Sequence, residues 1–473
     1  MVKTDRRFLI ATVVAAGAFG AIAASKPAVA PQRPNIVFLL VDDLGIKDLS
    51  CYGSDFHESP NIDRLASQGI RYTNAYATHP VCGPSRSAIV TGKFPARLNL
   101  TKIGGSIPQA ETIWPEVLKQ NGYATYFLGK WHMGDADSVL ENGFDVNIAG
   151  NQNGQPSSFY FPYKSEYTKQ NVPGLEDGKP GDYLTDALTD KAIDLLDQNG
   201  DRPFLLYFSY YNVHKPYVSN AQGKKEHVEY FKEKLKSMPE TDLSLRDDAR
   251  GGYTFKSVRA QRNPEYAGQI KAVDDSVGRI LHKLEEMGVT DNTLIIFTSD
   301  QGSMCTSKIG VSTAAPYLSG KAFLFEGGLR VPFIVKWPGH VQSGTINSTI
   351  TINTDIYPTV LDAAGLPQQP DQHLDGISMT DTFSGKTLPF DRTFYWAYPY
   401  DHSLGHKASI AIRKGSYKLI HWLENGDTEL YNVETDLSES SDLSKQQPEL
   451  ASELWRALKE WEPMNDPHNI HYK

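Results

Sequence analysis

Five short apolar runs, at residues 35–41, 124–129, 203–209, 293–298 and 332–336, punctuate the chain and are bounded by polar or turn-forming residues. Unbroken apolar character over so few positions predicts strands covered on both faces, as in a parallel sheet. Helical spacing predicts helices at 62–68, 113–121, 184–198 and 264–287. In the last, Ala267, Ile270, Val273, Val277, Ile280 and Leu284 form one stripe, the mark of a face turned to a core. Strands alternating with helices predict an α/β fold: a large mixed, mostly parallel sheet flanked by helices.

The rhythm changes after Gly365-Leu366-Pro367. Segments 393–398, 409–413, 417–422 and 429–431 read as antiparallel strands, with Asn425-Gly426 as a hairpin signal, and 448–461 reads as a closing helix. This predicts a catalytic domain over 34–368 and a smaller C-terminal α+β subdomain over 369–473. Two stretches, 150–181 and 219–262, show no period. Long unpatterned segments serve either as functional covers or as solvated insertions.

The first thirty residues have a basic head, Lys3 to Arg7, an Ala-rich apolar run and small-residue exits, which predicts a signal peptide over 1–30 and a periplasmic or secreted protein. Arg6-Arg7 leaves both the general and the twin-arginine export routes open. No later segment has the length and apolarity to span a bilayer, so no stable membrane association is expected. The formal charge of −9 argues against a nucleic-acid partner held by a broad basic face. Three cysteines, Cys51, Cys82 and Cys305, are too few for a disulfide scaffold; Cys51 and Cys305 could pair or stay reduced.

Candidate chemistry gathers where the apolar runs end. Asp42-Asp43 follow the first, Lys130 and His132 the second, His214 the third and Asp300-Gln301 the fourth. Ligands of open α/β sheets bind beyond the carboxyl ends of the strands, so these side chains can meet although distant in sequence. Asp42, Asp43, Asp300 and Gln301 offer only oxygen, which suits a hard cation such as calcium or magnesium. Cys82-Gly83-Pro84-Ser85-Arg86 reads as a loop entering a helix, with Pro84 at the first helical position and Gly92 as the stop. Cys82 would then face the positive end of that helix beside a guanidinium. Three aspartates, one divalent cation and the three bases Arg86, Lys130 and Lys321 leave a net of two positive charges, so an acidic chain encloses an anion-attracting pocket.

The run from Cys82 to Arg86, with Thr91-Gly92 after it, resembles the sulfatase signature Cys-x-Pro-Ser-Arg…Thr-Gly. A second sulfatase-like stretch runs from Gly122 to His132, and the resemblance extends to Asp42-Asp43, His214, Asp300-Gln301, Gly320-Lys321 and Glu326 to Pro332. It covers about residues 34–365 and implies an alkaline phosphatase/sulfatase-like fold. It implies that a formylglycine-generating maturation enzyme oxidises Cys82 to formylglycine (3-oxoalanine), and that one calcium ion is held by Asp42, Asp43, Asp300, Gln301 and the modified Cys82. Gln301 departs from the family, which commonly has Asn or His there. The resemblance gives the hydrated aldehyde as nucleophile, His214 with Lys321 as the acid for the leaving oxygen, and His132 as the base for release. Arg86 and Lys130 hold nucleophile and sulfate.

A sulfated saccharide is the expected substrate, from the leader and from aromatics near the candidate residues, with His402 or His406 as a substrate contact; an aryl sulfate is a second candidate. The rival readings are a phosphate or phosphonate ester hydrolase of the same superfamily, and a non-catalytic binder of sulfated glycans if Cys82 stays a thiol.

Overall fold

The computed structural model describes residues 1–2, 33–163, 172–214, 222–306 and 310–461. The predicted leader, from residue 3 onward, lies outside the described residues. All five predicted strands form and join an eight-stranded sheet. Its order is Thr345–Asn347, Ile70–Tyr72, Phe333–Lys336, Thr293–Ser299, Asn35–Val41, Phe204–Ser209, Ala124–Gly129, Val146–Ile148. Phe333–Lys336 runs antiparallel to both its neighbours; every other pairing is parallel. The three strands not predicted, Ile70–Tyr72, Val146–Ile148 and Thr345–Asn347, have three residues each, too few to show a period.

The central strand Asn35–Val41 is buried throughout because both faces carry helices. Val37, Leu39 and Val41 share a core with residues of helices Leu184–Gln198 and Pro264–Glu286. Ile36, Phe38 and Leu40 share the opposite core with helices Cys82–Thr91, Trp114–Gln120 and Ile356–Ala363. Pro264–Glu286 starts where expected: Pro264 opens it, and the Asn263 side chain accepts from the backbone N–H of Glu265 and Tyr266. All six residues of its predicted stripe are buried.

The four C-terminal strands, Thr393–Tyr398, Ser409–Lys414, Tyr417–Trp422 and Thr428–Asn432, form an antiparallel sheet in that order, followed by helix Pro448–Glu460. Gly426, at φ 75°, donates to Trp422 O at 2.9 Å, which closes the predicted hairpin. A buried ionic cluster ties this sheet to the segment after Lys321. Lys418 Nζ lies 2.8 Å from Glu326 and 2.6 Å from Glu439, and Glu326 also accepts from Arg330 Nε and Tyr76 Oη, each at 2.5 Å.

The stretch 219–262 is more ordered than its pattern implies. It contains helix Lys225–Ser237 and a hairpin of Leu245–Arg250 with Tyr253–Val258. The helix buries only Val228 and Phe231, and four of the six residues in the first hairpin strand are charged, so neither shows a clear apolar repeat. Phe255 anchors the hairpin on Phe323, with ring centroids 4.7 Å apart. Cys51, Cys82 and Cys305 are all free thiols, so Cys51 and Cys305 are not paired.

Candidate active site

Strand register sets the site. Val41 pairs with Ser299, Leu40 with Ser209 and Gly129 with Ser209, so three neighbouring parallel strands and the next end at one level. Asp42, Asp300 and Lys130 follow directly and leave the sheet at the same edge. Gly129 makes the turn into Lys130 possible. Its φ is +98°, and a Cβ there would sit 1.8 Å from Ser209 O. Asp43 and His132 also adopt left-handed backbone, at φ 58° and 63°, a conformation that costs a non-glycine residue about 1–3 kcal/mol and clusters at functional sites.

Helix Cys82–Thr91 points its start at this edge, and every one of its residues is buried. Cys82 is its first residue, so Pro84 is third rather than first. The missing N–H is harmless there, because the first four amides of a helix have no partner within it. Gly92, at φ 70°, ends the helix as predicted. Ser85 Oγ donates to Asp300 O at 2.5 Å, which fixes the helix to the fourth predicted strand.

Charges interlock around Cys82. Arg86 donates from Nε to Asp300 Oδ2 at 2.8 Å, and from Nη1 to Lys130 O at 2.9 Å and Ser209 Oγ at 2.6 Å. Lys130 donates to Asp42 Oδ2 at 2.6 Å. Lys321 donates to both oxygens of Asp43, at 2.6 and 2.8 Å, and His214 Nε2 lies 3.6 Å from Asp43 Oδ2. Gln301 Nε2 also meets Asp43 Oδ1. Ligand atoms of Asp42, Cys82 and Asp300 all lie within 4.8 Å of one another, and all three residues are buried.

Burial and neighbouring charge set the protonation preferences. Burial, with Asp300 and Asp43 adding to it, pushes the Asp42 carboxyl well up despite Lys130 and Arg86. Burial also works against the Asp300 carboxylate, but Arg86 and then Lys130 outweigh it and hold Asp300 below its ordinary value. Burial, Lys130, Arg86 and Lys321 together hold His132 far below the usual imidazole range, so it stands neutral, as a proton acceptor must.

The donor set fits a hard cation. Asp42 Oδ1 and Gln301 Oε1 are buried and have no hydrogen-bond partner. Each such orphan costs about 1–3 kcal/mol, a penalty that a coordinated cation removes. Arg86 Nη2 approaches Asp42 Oδ1 to 3.5 Å, but without hydrogen-bond geometry, so both atoms stay unpartnered. The Gln301 amide reaches the neighbouring Asp43 through Nε2 and leaves its oxygen without a hydrogen-bond partner.

The sulfatase family model matches residues 34–366, well over half of the chain. The chain belongs to the sulfatase family. Its activity is accordingly that of a sulfuric ester hydrolase. A second family model, described as N-sulphoglucosamine sulphohydrolase, C-terminal, matches residues 317–463. This sulfatase is 30% identical over 448 residues to the mouse N-acetylgalactosamine-6-sulfatase, covering 88% of this chain and 77% of that one. It is 29% identical over 520 residues to N-acetylglucosamine-6-O-sulfatase of Bacteroides thetaiotaomicron, covering 92% and 88%. Among solved structures, Ps i-CgsB in complex with k-i-k-neocarrahexaose matches with a TM-score of 0.76 at 30% identity, covering 93% of this chain and 95% of that one.

The sulfatase brings ten of its sequence-predicted residues to one strand edge: Asp42, Asp43, Cys82, Arg86, Lys130, His132, His214, Asp300, Gln301 and Lys321. The other two, His402 and His406, lie beside Tyr398. His406 is 1% exposed, with its ring 4.7 Å from that of Tyr398 and inclined by 10°. The His402 ring lies 6.3 Å from that of Tyr398. Phe323 and Trp422 also border the His406 ring.

Two contributors escaped the sequence reading. Ser209 accepts from Arg86 and donates to Lys130 O at 2.7 Å, but a serine ending an apolar strand carries no signal of its own. His79 bonds Ala397 O at 3.0 Å through Nε2, and its Nδ1 accepts from Val81 N at 3.3 Å. Burial pushes His79 down to about 3, so it is a neutral brace between the Cys82 loop and the C-terminal sheet. Its place three residues before Cys82 was the available clue.

Proposed function

We propose that this sulfatase is exported and removes sulfate from a sulfated carbohydrate, using a formylglycine formed from Cys82 by a maturation enzyme, and one calcium ion. The net reaction is RO–SO₃⁻ + H₂O → ROH + HSO₄⁻. The observation that carries the reading is the convergence of Asp42, Cys82 and Asp300, with ligand atoms within 4.8 Å of one another. When bound, calcium supplies positive charge beside the nucleophile and the sulfate; Asp42, Asp43, Asp300 and the Gln301 oxygen would hold it. The hydrated aldehyde supplies an oxygen nucleophile that a thiol does not.

The chain's own residues do the remaining work. Arg86 orients residue 82 from one helical turn away and is itself fixed by Asp300 and Ser209. Lys130 and Lys321 bring two ammonium groups to the sulfate oxygens, within a buried site where such charges act strongly. His214, held beside Asp43 with Lys321, gives a proton to the oxygen that leaves. A sugar alkoxide is a poor leaving group, and such a proton is worth about 10²–10⁴-fold. His132, neutral in its buried setting, takes the proton from the residue-82 hydroxyl as sulfate departs.

A carbohydrate substrate is supported by the relatives, whose names specify sulfated hexosamines, and by the neighbour solved with a carrageenan-type hexaose. Export rests on the N-terminal pattern; among the described residues no helix is long and apolar enough to cross a membrane. Parallel assays on nitrophenyl sulfate, nitrophenyl phosphate and a nitrophenyl phosphonate test the reaction class. Turnover of the sulfate ester is expected to dominate, and turnover of the phosphorus esters alone would replace this reading with that of a phosphoester or phosphonate hydrolase. Stoichiometric binding of a sulfated glycan without turnover, with Cys82 a thiol, would make it a binder.

A further inference from the structure

Lys102 sits on the loop that borders the start of the Cys82 helix. The neighbouring Ile103 has its Cα 4.0 Å from where a Gly83 Cβ would stand, and the residue is 42% exposed. Lys102 is exposed, and its Nζ lies 5.5 Å from the centre of the Tyr400 ring. Among the described residues no ion pair engages it. Lys407, by contrast, is neutralised by Asp401 at 2.6 Å and Glu424 at 3.5 Å. Tyr400 stands two residues from Tyr398, whose ring lies 5.0 Å from that of His79 in the loop before Cys82. Lys102 and Tyr400 therefore form a small platform, one uncompensated cation over one aromatic face, at the rim of the reaction centre.

We propose that Lys102, laid on Tyr400, binds a second anionic group of the substrate, so that the preferred substrate is a saccharide with another negative charge near the sulfate being removed. The inference rests on the sulfatase reading and deepens it. Lys130 and Lys321 serve the sulfate being removed, whereas Lys102, with no ion pair among the described residues, offers its charge to a second group that arrives with the ligand. The π-face beneath keeps the ammonium in place without neutralising it, and the exposed Ile103 offers an apolar contact to a sugar ring. Either a second sulfate or a uronic carboxylate provides the required anion.

The test compares kcat/KM of wild type, Lys102→Met and Lys102→Arg on nitrophenyl sulfate, monosulfated hexosamines, disulfated hexosamines and monosulfated hexosamines linked to a uronic acid. Wild type should favour a doubly charged saccharide over its singly charged counterpart by about tenfold, as expected for a charge-assisted contact. Lys102→Met should erase that ratio mainly through KM, Lys102→Arg should keep it, and added salt should shrink it. The disulfated and uronic arms distinguish the two sources of the anion. Equal losses on singly and doubly charged substrates, an unchanged ratio in Lys102→Met, or wild-type turnover of nitrophenyl sulfate but no saccharide would each overturn the proposal while leaving the sulfatase reading intact. Failure of wild type on every sulfate ester would instead remove that reading, and this inference with it.

Discussion

Lys321 and Asp43 form a two-point contact, 2.6 and 2.8 Å from the ammonium to the two carboxylate oxygens, although 277 positions intervene between them. The backbone around Lys321 is pinned on both sides: its N–H donates to Ser303 O, and that of Ala322 donates to Pro80 O, each at 2.8 Å. The contact thus joins the loop before Cys82, the strand end at Asp43 and the segment that leads to the C-terminal sheet. Removing one partner of a buried pair typically costs about 3–5 kcal/mol, because the other charge is left uncompensated. Lys321→Met should lower the melting temperature and reduce kcat at least a hundredfold. Saturating calcium should recover part of the stability, since the cation replaces the missing charge at Asp43, but not the turnover. Calorimetry with and without calcium checks this; no recovery would detach Asp43 from the cation site.

Chelation addresses the whole donor set. EDTA should abolish turnover and lower the melting temperature, and calcium should restore both. A ligand that binds only the folded state adds about 2.7 kcal/mol at a hundred times its dissociation constant. Gln301→Asn, with the family's shorter arm, should retain binding, whereas Asp42→Asn and Asp300→Asn should weaken it at least tenfold in a calcium titration. Undiminished activity after exhaustive chelation would count against the cation.

His214 is assigned to the leaving oxygen, so its effect should depend on how good the leaving group is. His214→Ala should cost about 10²–10⁴-fold on a sugar sulfate and distinctly less on nitrophenyl sulfate. Equal losses on the two substrates would speak against an acid role.

Lys418 serves two buried carboxylates at once, at 2.8 and 2.6 Å. Burial, with Glu326 adding to it and Lys418 opposing, raises Glu439 from 4.5 to about 7. The folded value lies above the unfolded one, so the folded state holds this proton more tightly. The resulting stabilisation is complete below pH 4.5 and is lost as pH rises through about 7. Glu439→Gln carries no titrating proton. Its melting temperature relative to wild type should climb between pH 5 and 8, by the equivalent of roughly 1–3 kcal/mol. A difference that stays level across that window would refute the assignment.

Most of the site was legible because its residues lie immediately beyond apolar strands, and a parallel sheet brings such positions to one edge. Asp42, Lys130 and Asp300 follow this rule directly. The hairpin Leu245–Arg250 with Tyr253–Val258 was illegible because four of the six residues in its first strand are charged and only Phe255 and Ser257 of its second are buried. The role of His406 was not legible, because an imidazole among aromatics reads alike whether it faces a ligand or only packs on a ring such as Tyr398. Pro84 shifted from first to third helical position because the helix starts at Cys82 itself, which no local signal fixes.

Mass spectrometry of the peptide spanning residue 82, from protein made alongside a formylglycine-generating enzyme, tests the central claim most directly. An aldehyde side chain is expected in place of the CH₂–SH of cysteine, in a fraction that scales with specific activity on a sulfate ester. Fully active protein whose residue 82 is still an intact thiol would contradict it.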